Sequence, residues 1–328
     1  MTHTHEIAEA EITGDYQLDA PLLPSVEPTT DLFPAEPPVI PMISVPIAVN
    51  NDYFRIQLEL FWFNHKLTYG EAAARNKLLA IIVKRNHAYE ETRQVCEWAR
   101  EIPHLMVEAY FDVRPDMTNP MCLPINIQVG LNQIIDTFDN EQVIEVLDCD
   151  MFHLKPHPEL AVQDDELIVV DIYEDWHLRS LSDHRDVIAP FFKNDGNYYN
   201  GGFVPIIGKA KTFKKLLPAW IEIHKQIVDA QSDNNLQWWA GMYSLQAACE
   251  NNAVLMRAMD LCYVPGINAL NDDHYIAHYS VDGRFNKKIW PSIDVSAFED
   301  NHFYSRVLEW LRHEELLSEG ALERWCHA

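Results

Sequence analysis

The sequence predicts an α/β fold: a mainly parallel sheet flanked by helices. Three observations lead there. Short β-branched apolar runs alternate with longer segments whose apolar residues recur at helical spacing. The chain has 328 residues, 48% of them hydrophobic and 23% charged, enough for one large core. One apolar run, Val143 to Leu147, ends in Asp148-Cys149-Asp150, with the Pro-rich turn Lys155-Pro156-His157-Pro158 just beyond. Two carboxylates at the end of a buried strand lie where open α/β sheets bind ligands.

Residues 1–42 hold seven of the nineteen prolines and eight acidic residues, with no Lys or Arg. This composition predicts a disordered acidic tail ahead of a single domain over 43–328. Ile43 to Val49 reads as a first strand, with Pro46 inside it. Asn50-Asn51-Asp52 is a turn and helix cap, and Tyr53 to Lys66 is a helix rich in aromatics, expected to face the core. Asn76 to Lys84 is a second strand, Glu90 to Arg100 a helix and Leu105 to Phe111 a third strand. Asn126 to Phe138 is a helix by the spacing of Ile127, Leu131, Ile134, Ile135 and Phe138. After the Asp-x-Asp strand come a strand over Glu166 to Tyr173 and a loop and strand over Asn197 to Ile207. Helices follow over Lys211 to Gln231 and Asn234 to Glu250. Short extended segments follow at Leu261 to Val264 and Tyr275 to Ser280, and C-terminal helices begin near residue 300.

The formal net charge of −25 leaves the chain near −17 once the tail is set aside, which disfavours nucleic acid and anionic membrane as loose electrostatic partners. The N-terminus has neither the basic nor the apolar region of a signal peptide, and no apolar run is long enough to span a bilayer. The six cysteines show no paired spacing, so the expectation is free thiols in a reducing cytoplasm, in a bacterial or phage-infected cell. Dinucleotide-binding, Walker, nucleophile-elbow and zincin motifs are absent from the sequence.

The chemistry is expected at five places. Asp148 and Asp150 offer hard oxygen ligands suited to Mn²⁺ or Mg²⁺ holding a diphosphate. His278, at the end of a short apolar run, can complete the coordination. Arg284, Lys287 and Lys288 behind it can stabilise a departing diphosphate. Val49, Asn50 and Asn51, at the end of the first strand, face a nucleotide base, and Asn200-Gly201-Gly202 allows the backbone to approach a ligand closely. Asp233, Gln237 and Trp238, at the head of a helix, can contact sugar and acceptor through amide hydrogen bonds and ring stacking. The alternative for this last group is a helix cap followed by core tryptophans.

Several of these segments, in this order, resemble one family. Asp148-Cys-Asp-Met-Phe-His-Leu-Lys-Pro-His-Pro158, Leu236-Gln-Trp-Trp-Ala-Gly-Met-Tyr243 and Ile276-Ala-His-Tyr-Ser280 are similar to motifs of the plant hydroxyproline O-arabinosyltransferases and peptidyl serine galactosyltransferases. Where the family helix carries a Glu before Met-Tyr, this chain has Gly241. The resemblance implies a GT-A fold, a UDP-sugar donor, retention of anomeric configuration, and Asp148, Asp150 and His278 as metal-site residues. The acceptor would be hydroxyl-bearing: a metabolite, a glycan, a protein, or a hydroxymethylated DNA base as in phage DNA modification. Alternatives from other classes are a non-catalytic nucleotide-sugar-binding protein and a nucleotidyltransferase.

One expectation concerns the tail. Removing it leaves the melting temperature within about 2 °C, because it has too little contiguous apolar surface to dock. A larger drop in a thermal melt would show that it packs on the domain.

Overall fold

A computed structural model of the chain describes residues 41–50, 52–84, 99–108, 125–170, 186–193, 203–230, 234–265, 267–279 and 301–315. The expected first strand is β1, Ile43–Val49, buried at every position after its first residue. It leads into helix α1, Asp52–Tyr69, and a short helix α2, Glu71–Ala74. Next come β2, Ala80–Lys84, and β3, His104–Glu108. Helix α3, Ile125–Ile134, ends in a 3₁₀ turn over Ile135–Thr137. It feeds β4, Val143–Asp148, and the short β5, Met151–His153. Beyond these lie β6, Glu166–Val170, β7, Phe203–Lys209, helix α4, Ala210–Ala230, and helix α5, Asn234–Asn251. The described part closes with β8, Leu255–Met259, β9, Cys262–Tyr263, β10, Ile276–His278, and helix α6, Asn301–His313.

Seven strands form one sheet in the order β3-β2-β1-β4-β7-β6-β8. β3, β2, β1 and β4 run parallel, as do β6 and β8. β7 runs against both β4 and β6. The sheet is therefore mainly parallel, as expected, with one reversed strand. Parallel strands buried on both faces need continuous apolar sequence, and Ala80-Ile-Ile-Val83 and Leu167-Ile-Val-Val170 supply it, each residue nearly or fully buried. A second, three-stranded sheet has the order β5-β10-β9.

The aromatic run of α1 is core, as its composition suggested: Phe61, Trp62 and Phe63 are all buried. Phe152 of β5, Tyr279 and Phe303 of α6 join Ile56 and Leu60 of α1 in a second apolar cluster, with Phe152 stacked on Phe303 at 5.4 Å. This cluster backs the small sheet.

Helices α4 and α5 pack closely. Trp220 Nε1 donates to the Gly241 carbonyl at 2.8 Å. A Cβ at Gly241 would lie 3.1 Å from Gln128 Nε2 and 3.4 Å from His224 Cε1. A side chain at this position would press on both, because this face of α5 is turned onto α3 and α4.

The segment ahead of β1 is anchored from residue 41. Met42 is buried in the core, and Gln142 Nε2 donates to the Pro41 carbonyl at 2.6 Å. A tail truncation should therefore stop at residue 40.

Candidate metal centre

The candidate site forms where the two sheets meet. β1 and β4 are parallel with Ile47 opposite Asp148, so the ends of both strands, Val49-Asn50 and Asp148, emerge on one edge. The chain turns through Cys149 and Asp150 and enters β5. β5 pairs antiparallel with β10, placing His278 opposite Met151. A backbone hydrogen bond from Tyr279 N to the Asp150 carbonyl, 3.1 Å long, closes the arrangement. Sheet register alone thus brings residues 148, 150 and 278 together.

His278 Nε2 lies 3.2 Å from Asp150 Oδ1 and 3.8 Å from Asp148 Oδ2. One ligand atom from each of the three residues falls within a common 4.8 Å. His278 is buried and the carboxylates are partly buried, so the group opens to solvent on the aspartate side. Behind it, the Cys149 thiol donates to Gln57 Oε1 of α1 at 3.1 Å. Burial, with Asp150 and Asp148 on either side, pushes that thiol well above its usual range. Its sulfur is turned toward Gln57, and the converging group consists of Asp148, Asp150 and His278.

Burial and the facing Asp150 push the Asp148 carboxyl up to about 6. Some 37% of its side chain still meets solvent, which screens part of that repulsion. Burial alone would lower the imidazole of His278. The Asp150 charge and hydrogen bond, helped by Asp148, outweigh it and raise the pKa above 6.5. Without a cation the site therefore holds protons. Its contribution to stability is present at low pH and is lost as pH rises through about 6 for Asp148 and through the raised value of His278. A cation needs both groups deprotonated, so its effect runs the opposite way. The rise in melting temperature on adding Mn²⁺ is expected to be several degrees larger at pH 7.5 than at pH 5.5. Equal shifts at both pH values would mean that the cation binds elsewhere.

The other expected site residues divide into two groups. Val49 and Asn50 are described and buried, at the same sheet edge as the carboxylates. Asn51, Asn200, Gly201, Gly202, Asp233, Arg284, Lys287 and Lys288 lie outside the described residues, as do the side chains of Gln237 and Trp238. Trp239 is half-buried against the main core, which favours the core-tryptophan alternative at that position.

Sequence reasoning gave no role to Glu145, His153, His157, Tyr275 and His65, which form a buried polar cluster beneath the metal candidate. The available signal was a single Glu inside an otherwise apolar strand. Such a carboxylate is buried on either face and must find partners.

No protein-family model matches the chain, and no curated protein matches it in sequence. Solved structures of similar shape are remote. One is the bifunctional glycosyltransferase WbbM without ligands, at 10% identity and a TM-score of 0.45, covering 76% of this chain. This chain spans about half, 47%, of the WbbM chain. A second is the galactosyltransferase LgtC with donor and acceptor sugar analogues, at 10% identity and a TM-score of 0.47, covering 81% of this chain and 94% of that one. A third is an active-site mutant of LgtC, at 9% identity and a TM-score of 0.49, covering 82% and 95%. No helix among the described residues is long and apolar enough to cross a membrane.

Proposed function

We propose that this chain is a metal-dependent glycosyltransferase. In this reading it moves a sugar, a pentose such as arabinose or a hexose, from a UDP-sugar to an acceptor hydroxyl with retention of configuration. The observation that carries the reading is the meeting of Asp148, Asp150 and His278 at the carboxyl ends of parallel strands. Their donor set fits the cation: two carboxylates and an imidazole suit Mn²⁺, with Mg²⁺ the more demanding alternative. When bound, such a cation would neutralise the charge that develops on a diphosphate leaving group.

The remaining work falls to the protein. Asp150 is fixed by its neighbours: its carbonyl is tied to Tyr279 and its carboxylate faces His278. This geometry is set before ligand arrives, so little reorganisation is needed at the moment of reaction. Asp148 stands at the solvent side, free to reach the cation directly or through water. Val49 and Asn50 border the base. Asn51 and the Asn200-Gly201-Gly202 loop would complete the donor pocket, and Arg284, Lys287 and Lys288 would hold the diphosphate. Asp233, Gln237 and Trp238 would border the sugar and acceptor.

The test is incubation with a panel of UDP-sugars and Mn²⁺, reading released UDP, followed by mass spectrometry of hydroxyl-bearing acceptors. Release of pyrophosphate from a nucleoside triphosphate would instead identify a nucleotidyltransferase. Binding without release would identify a non-catalytic receptor.

His278→Ala is expected to raise the Mn²⁺ concentration for half-maximal activity by about 10–100-fold. It should weaken UDP binding with Mn²⁺ present and leave it nearly unchanged in a chelator. An unaltered Mn²⁺ requirement, measured by titration, would make the histidine structural.

A further inference from the structure

Glu145 sits in the middle of β4, fully buried, three residues ahead of Asp148. Its ion-pair partners among the described residues are both histidines. His157 Nε2 is 2.9 Å from Glu145 Oε2, and His153 Nε2 is 3.5 Å from the same oxygen. Ser44 Oγ of β1 approaches that oxygen at 2.9 Å and His157 Nε2 at 3.0 Å. The other carboxylate oxygen, Oε1, takes a short hydrogen bond from the Tyr275 hydroxyl. Ser44 Oγ and His157 Nε2 thus fill the two lone pairs of Oε2, while His153 Nε2, buried at 3.5 Å from the same oxygen, makes no hydrogen bond there. The buried negative charge must be met by a proton shared among the imidazoles or by a cation.

The geometry resembles a ligand shell. Donor atoms of a tetrahedral site with bonds of about 2.0–2.1 Å stand roughly 3.3 Å apart. The separations above, from 2.9 to 3.5 Å, bracket that value. One ligand atom each from Glu145, His153 and His157 falls within 4.8 Å. The surroundings fit as well. His153 turns its other ring nitrogen, Nδ1, to His65 Nδ1 at 3.5 Å, as ligand imidazoles do toward an outer partner. Burial pushes His65 down to about 2, so it remains a neutral partner. Tyr275 fixes the carboxylate from the far side. A relay of serine, histidine and glutamate for nucleophilic catalysis is ruled out by orientation, because Ser44 and Glu145 approach the same ring nitrogen and Ser44 is fully buried.

We propose that Glu145, His153 and His157 form a second, buried metal site, for Zn²⁺, with Ser44 Oγ placed as the fourth donor. Mixed nitrogen and oxygen ligands in a closed, four-coordinate shell favour Zn²⁺, whereas Asp148 and Asp150 form an open, oxygen-rich group. The ion ties β4, β5 and the Pro156–Pro158 turn together and so braces both ends of the Asp148–Asp150 turn. The proposal does not depend on the sugar-transfer reading.

The test uses the full chain, expressed with zinc supplied and dialysed against metal-free buffer, and measures metal by atomic emission. About one zinc per chain is expected in the wild type and in Asp150→Ala, and less than about a fifth of that in His153→Ala and His157→Ala. Zinc content that persists in both histidine variants, or a wild type without zinc, overturns the proposal. Should the histidine variants fail to fold, the wild type is unfolded in denaturant with chelator and refolded with Co²⁺. Intense visible absorption of tetrahedral Co²⁺ at one equivalent supports the site. Refolding with no such absorption, and with a melting temperature indifferent to Zn²⁺, shows a proton-neutralised hydrogen-bond cluster instead.

Discussion

Asp150→Ala is expected to lower sugar transfer by at least about 10²–10³-fold while leaving the chain folded. The loss follows from position. Asp150 is the carboxylate nearest His278, at 3.2 Å, and both are held by the pairing of β5 with β10. Removing a fixed charge aimed at the reacting group costs roughly 10²–10³ in rate. The fold is spared because the bond from Tyr279 N ends on the Asp150 carbonyl, which alanine retains. Relief of the repulsion with Asp148 also offsets the lost His278 contact. The stability change should stay within about 1–2 kcal/mol. Steady-state kinetics with a urea melt on the same sample checks both halves. Normal turnover in the variant would remove Asp150 from the site.

The largest expected stability effect lies one layer below. Glu145→Ala should cost about 3–5 kcal/mol, because it strands His157, His153, Ser44 and Tyr275 without their common acceptor. The estimate holds whether a proton or a cation balances the charge, since alanine removes the acceptor in either case. Glu145 is held well below its usual pKa: burial opposes ionisation, but His157 and His153 outweigh it. This contribution to stability is therefore present above the ordinary carboxylate range and is lost only as pH falls toward the depressed folded value. Glu145→Gln, which keeps an acceptor for Tyr275, should lose roughly half as much. A urea midpoint for Glu145→Ala within about 1 kcal/mol of wild type would mean that the cluster contributes little.

Much of the fold was legible because periodicity is strong where burial is two-sided. β1 begins and ends at Ile43 and Val49 as read, and α4 and α5 fall within a residue or so of their expected bounds. Two strands were missed for identifiable reasons. β8, Leu-Met-Arg-Ala-Met, has no β-branched residue and lies at the sheet edge, where pairing rather than propensity defines it. β5 is three residues long, too short to show a period. The reversed direction of β7 was illegible because a strand's own pattern does not record which way its neighbours run. At the candidate site, Asp148 and Asp150 were visible as a local motif. His278 was visible through the family resemblance, and its position is explained by β5–β10 register. The cluster around Glu145 was hidden because its members come from β1, α1, β4, β5, the turn after β5 and the residue just ahead of β10, and only folding brings them together.

The union of Asp150 with His278 also has a temporal side. These residues are made far apart: the ribosome completes the two carboxylates well before it reaches β10. A nascent chain that has emerged only through α5 has β4 and lacks the strand that pairs with β5. Products of premature termination or of proteolysis ahead of residue 276 thus carry half a cation site. Under the proposed reading, such fragments should be inert toward a donor substrate rather than partly active.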